Sequence, residues 1–114
     1  MFVNTYRLGE FEEIVLLTVA VLFDEAYGVA IKKEIESHLG RNISVGAMQS
    51  ALRRMEKKGY LKSRFGEPTR ERGGKRKRYF TVTPYGKKAL EYAKDVRLTL
   101  WNAIPHNAFD FGNV

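Results

Sequence analysis

Residues 44–65 read SVGAMQSALRRMEKKGYLKSRF, and the period of the apolar positions changes within them. Ser44 carries the side chain of a helix N-cap. Val45, Met48, Leu52 and Met55 follow at intervals of three and four, one apolar face of a helix expected from Val45 to Lys58. The opposite face presents Gln49, Ser50, Arg53, Arg54 and Lys57. Gly59 is placed to close this helix, and from Tyr60 to Phe65 the period drops to two. Leu61, Ser63 and Phe65 fall on one side, Tyr60, Lys62 and Arg64 on the other. A helix with a polar outer face therefore runs directly into a strand with one basic face.

Toward the C-terminus, Glu67 to Lys75 holds Pro68 and Gly73-Gly74 among charged residues and reads as a turn-rich link. Lys77 to Thr83, rich in aromatic and β-branched residues, is a second strand, so the two make an antiparallel hairpin with a long basic tip. Thr83-Pro84 places a cap before a proline at the first helical position. The helix it opens is expected to reach Ile104 and stop at Pro105. Ala89, Ala93, Val96 and Leu100 form its apolar stripe, which Tyr85, Tyr92 and Trp101 widen. His106 to Val114 shows no periodicity.

Toward the N-terminus, a helix is expected from Val29 to Leu39, with Ile31, Ile35 and Leu39 as core stripe and Gly40 ending it. Before it, Leu8 to Asp24 reads as a helix whose start holds Glu10, Glu12 and Glu13, the sign that suits the dipole there. Nearly every position from Ile14 to Phe23 is apolar, more than one small core covers, which points to a dimer contact. That run is far shorter than the roughly 20 residues of a membrane span. Acidic residues stand where a signal peptide would be basic, and the expectation is a cytoplasmic protein with no membrane partner.

The 114 residues suit one domain. The net charge of +7 is unevenly placed: residues 53–78 hold twelve bases against three acids, while residues 1–40 are net acidic. A polyanionic partner is expected at the basic stretch. The absence of Cys removes disulfides and thiolate metal sites. His38 and His106, the only histidines, have neither metal nor nucleophile spacing, so no metal, no cofactor and no catalytic residue is expected.

Three helices and then a hairpin is the order of a winged helix, so the fold class is mainly α (α+β), a winged helix-turn-helix with N- and C-terminal dimerisation helices. The expected division is a winged-helix DNA-binding part over 1–83, with the wing at about 60–83, a dimerisation helix over 84–104 of the same domain, and a tail over 105–114. The third helix would lie in the major groove of double-stranded DNA, with Ser44, Gly46, Gln49, Ser50 and Arg53 at the groove and Arg54, Lys57 and Lys58 near phosphates. Arg70, Arg72, Lys75, Arg76 and Lys77 in the wing would add affinity that is largely insensitive to sequence. The alternative is a winged-helix protein-interaction module without specific DNA binding. Steep weakening by salt separates the two.

Three stretches carry a family resemblance: Leu8 to Glu12 with the apolar run after it, Ser44-Val45-Gly46 leading to Leu52 through Leu61, and Arg78 through Leu90. In that order, over roughly residues 8 to 92, the chain resembles the PadR-like transcriptional regulators. It departs where Met48-Gln49-Ser50 replaces the usual Leu-Tyr-Pro and where Val29 replaces an aromatic residue. The resemblance implies a homodimeric bacterial repressor on a pseudo-palindromic operator, with the first and last helices as dimer contact. The residues expected there are Phe11, Val15, Val96, Leu100, Trp101 and Ile104. The short C-terminal region resembles the compact branch of the family, some members of which bind planar aromatic small molecules. That implies an effector position at Trp101, with Phe11 and Tyr92 lining it, against the plainer expectation that Trp101 packs across the dimer seam.

Overall fold

A computed structural model describes residues 6–68 and 76–112. Helix α1 (Glu10–Leu22) begins at Gly9, whose extended backbone leaves an N–H that the Glu12 carboxylate accepts at 3.0 Å. This moves the start two residues beyond the expected Leu8. Its end also comes earlier than Asp24, because Phe23 takes φ 51° and Phe23–Glu25 tighten into a 3-10 turn. Val15, Leu16 and Val19 are fully buried, while Leu17 and Val21 point outward.

Helix α2 (Gly28–Leu39) buries Ile31 and Ile35 and ends at Gly40, whose left-handed φ of 67° suits glycine. Leu39, expected in the core stripe, is exposed at the last position of the helix, beyond the reach of the packed body. Helix α3 (Val45–Lys57) is capped as expected, Ser44 Oγ accepting from Ala47 N at 3.2 Å. Met48, Ala51, Leu52 and Met55 face the core. Val45 was expected beside them, but at the first position of the helix it overhangs the core and is 59% exposed.

Strands β1 (Leu61–Pro68) and β2 (Arg76–Val82) pair antiparallel, with Leu61 opposite Val82 and Ser63 opposite Phe80, and the register shifts between Phe65 and Pro68. Tyr60 also departs from the expected alternation. It precedes the strand and is buried, its ring stacked on Tyr85 with centroids 5.0 Å apart, instead of lying on the basic face. The root of the hairpin is fastened to the body by Phe80 N donating to Ala26 O at 2.8 Å and by a bridge between Tyr27 and Tyr79.

Helix α4 (Pro84–Ala103) starts where Thr83 Oγ1 accepts from Gly86 N at 3.0 Å and donates to Gly59 O at 2.6 Å. A Cβ at Gly86 would collide with the Tyr60 carbonyl, so glycine here lets the helix start lie directly on the backbone of the hairpin entry. Only Gly86 and Ala89 of α4 are fully buried. Its second half leaves the body, and the molecule measures 61 × 37 × 21 Å. The core is shared by α1, α2, α3 and the hairpin root, where each fully buried Leu, Ile or Met contributes about 1.5–3 kcal/mol.

Candidate nucleic-acid interface

The outer face of α3 carries Gly46, Gln49, Arg53 and Lys57, all exposed, with Ser50 half-buried among them, and Val45 overhangs the core at the start of the helix beside Gln49. Ser50 Oγ accepts from Arg53 at 3.5 Å, a long contact that a base edge can displace. Gln49 sits at a polar groove between the start of α2 and the hairpin root, lined also by Tyr27, Val29, Arg76, Lys77 and Arg78. Among the described residues no carboxylate pairs with Arg53, Lys57 or Arg76, which leaves three cations available to a polyanion.

Arg54 and Lys58 are placed differently from their neighbours. Both reach the buried Glu12 of α1, Arg54 Nε at 3.3 Å and Lys58 Nζ at 3.3 Å, and Lys58 also donates to the Arg7 carbonyl at 3.1 Å. Arg54 and Lys58 thus fasten α3 to α1. Burial pushes the Glu12 carboxyl up, but the N–H of Gly9 and the side chains of Lys58 and Arg54 outweigh it and hold the pKa below the ordinary carboxylate range.

A carboxyl more acidic in the folded than in the unfolded chain adds stability above its unfolded pKa, and that stability is lost as the pH falls through the folded value. Glu12→Gln is therefore expected to be less stable than the parent at pH 7 by about 2 kcal/mol. The difference should shrink as the pH falls below the ordinary carboxylate range and close once the folded carboxyl is protonated. Denaturant midpoints across that range measure it, and a difference constant with pH assigns the loss to packing alone.

In the hairpin, Arg76 is exposed, and Lys77 lies over the Tyr27 ring at 4.2 Å, held toward α2. Arg70, Arg72 and Lys75 lie outside the described residues. Sequence reasoning missed a link between α3 and the wing: Arg78 reaches Glu56 at 2.6 Å and Ser63 at 3.0 Å, while Ser63 donates to Glu56. The signal was Glu56, a single acid between Arg53 and Arg64.

Of the residues expected at a dimer contact, Val15 is 0% exposed within its own chain and offers a partner no surface, because α1 turns that face into the core. Phe11 packs half-buried against the same core. Leu100 and Trp101 are 65% and 66% exposed, and with Val96 and Ile104 they cover the projecting half of α4. The three positions of the effector expectation do not meet within one chain. Tyr92 packs against Tyr6 with centroids 5.6 Å apart, Trp101 lies beside Phe109 at 6.4 Å, and the two are about half a turn out of phase on α4.

Among the described residues there is no group of His, Asp or Glu able to hold a metal ion, and no helix long and apolar enough to cross a membrane.

Residues 16–92 match the family described as the transcriptional regulator PadR-like family. A PadR family transcription regulator from Clostridium difficile is 31% identical over 78% of this chain and 91% of that one, with a TM-score of 0.60. A transcriptional regulator from Clostridium thermocellum is 29% identical over 81% of this chain and 85% of that one, with a TM-score of 0.61. RosR of H. salinarum has a TM-score of 0.71 over 90% of this chain and 84% of that one, but at 20% identity it speaks for the fold alone. The curated protein sequences hold no significant match. PadR-like regulators bind DNA and are not enzymes. A capped helix with a basic outer face, a hairpin fastened to it and a match spanning residues 16–92 together show that this chain belongs to the PadR-like family of transcriptional regulators.

Proposed function

We propose that the chain is a homodimeric repressor that reads a pseudo-palindromic operator with α3 and grips phosphates with the wing. The observation that carries this reading is the division among the bases of α3. Arg54 and Lys58 are exposed but paired with Glu12, whereas Arg53 and Lys57, on the face that also holds Gln49, have no carboxylate partner among the described residues. Gln49 suits an adenine edge and Arg53 a guanine edge, while Ser44, Gly46 and Ser50 set how near α3 approaches. Arg76 and Lys77, with Arg70, Arg72 and Lys75 from the segment before them in the sequence, add sequence-insensitive affinity. Residues 1–83 form the DNA-binding part, 84–104 the dimerisation helix and 105–114 a tail. Repression is the proposed mode, the one expected of a dimer whose operator overlaps a promoter.

Arg53→Ala is expected to weaken binding to a duplex selected from random sequence by about 1–3 kcal/mol, and binding to unselected DNA by less. Equal losses on both would remove Arg53 from base reading.

Dimerisation through α1 and α4 is supported by the apolar groove between them, lined by Leu17, Leu90 and Leu98, and by exposed Leu100 and Trp101. Trp101 at the seam suits an aromatic side chain that is apolar on its faces and polar at the indole N–H. The alternative to packing alone is a planar aromatic effector stacking on Trp101. Titration with planar cationic dyes tests it: saturable quenching at fixed dimer stoichiometry, lost in a Trp101→Ala chain that stays dimeric, assigns the effector.

A further inference from the structure

We propose that Val45 is a specificity-determining residue that reads the 5-methyl group of a thymine in the operator. The inference rests on the DNA-binding reading above. Val45 is a large apolar side chain at the first position of α3, in phase with the core side but overhanging it, and it stands exposed beside Gln49 at the edge of the polar outer face. The core does not use it, since Met48, Leu52 and Met55 carry the packing of this helix. Neither does helix formation, because a β-branched residue brings no advantage over Ala in a helix.

Gly46 supplies a second, independent observation. Its backbone is not in the left-handed region, and a Cβ there would meet only Ser44 Oγ at 3.6 Å. The fold therefore has room for Ala at this position, and glycine in a first turn forgoes helix stability for no internal gain. A bare backbone beside an exposed valine at the tip of α3 lets a base edge come close enough for the valine methyls to touch it. In the major groove the apolar feature of a base pair is the thymine methyl. Val45 and Gln49 are four residues apart on the helix, a rise of about 6 Å, or within two base-pair steps of about 3.4 Å. The operator half-site should hold a thymine within two steps of the adenine that Gln49 reads.

The test uses duplexes enriched by the full chain from a random library, with each thymine replaced in turn by deoxyuridine, which removes only the methyl. At one position per half-site the parent should lose about fourfold in affinity, the value of one buried methyl. Val45→Ala should bind the thymine duplex about fourfold more weakly, show no further loss on the deoxyuridine duplex, and keep the parental melting temperature. Gly46→Ala should melt no lower than the parent yet lose operator affinity. A Val45→Ala chain that still distinguishes thymine from deoxyuridine overturns the proposal, as does tolerance of deoxyuridine at every position. Binding of duplex DNA without enrichment of any sequence overturns it and leaves the phosphate-binding reading standing. Failure to bind any duplex overturns both.

Discussion

Truncation after Arg97 is expected to give a folded monomer whose affinity for a palindromic operator falls by about 10²–10⁴-fold. The cut removes Leu98, Leu100, Trp101 and Ile104 with the tail, none of them part of the buried core, so the melting of the remaining domain should change little. What is lost is the linkage. In the proposed dimer two α3 helices would address half-sites about 34 Å apart, and binding the first would make the second intramolecular. Sedimentation velocity and binding to half-site and full-site duplexes measure this. The half-site affinity should survive the cut, and a dimeric truncated chain would place the interface elsewhere.

The second large effect is expected at Gly86, where Gly86→Ala should lower stability by about 2–3 kcal/mol, an overpacking penalty that outweighs the better helix propensity of Ala. The new methyl would meet the Tyr60 carbonyl and Val82. Backbone, unlike a flexible side-chain end, cannot step aside, and Thr83 ties the same carbonyl through its N–H at 3.1 Å. A melting temperature lower by about 10 °C is the readout. An unchanged value would mean that the start of α4 shifts freely over the hairpin entry.

The elements that local chemistry encodes were legible in the sequence. Ser44 before α3, Gly40 after α2 and Thr83-Pro84 before α4 act within a few residues, and all three ends fall where those residues set them. The misread residues share a different cause. Val45 and Leu39 keep perfect helical phase with buried neighbours, but phase says only which way a side chain points, and these two stand past the edge of the core. Tyr60 obeys the alternation of a strand that has not yet begun. Arg54 and Lys58 look like Arg53 and Lys57 in any window of sequence, since the carboxylate that separates them is 42 and 46 residues away. Long-range partners of this kind leave no local period, so the basic stretch was legible as a region and not residue by residue.

The hairpin root is held by backbone bonds, Phe80 N to Ala26 O and the bridge of Tyr27 to Tyr79, together with the pairing of Arg78 and Glu56. Main-chain hydrogen bonds make no demand on side-chain identity, and all of these lie on the body side of residues 69–75. A change of length or charge between Pro68 and Arg76 therefore removes none of these bonds, and the root and the helix beside it keep their places. Grafting a foreign segment between Pro68 and Arg76 becomes a way to retune DNA affinity without disturbing α3.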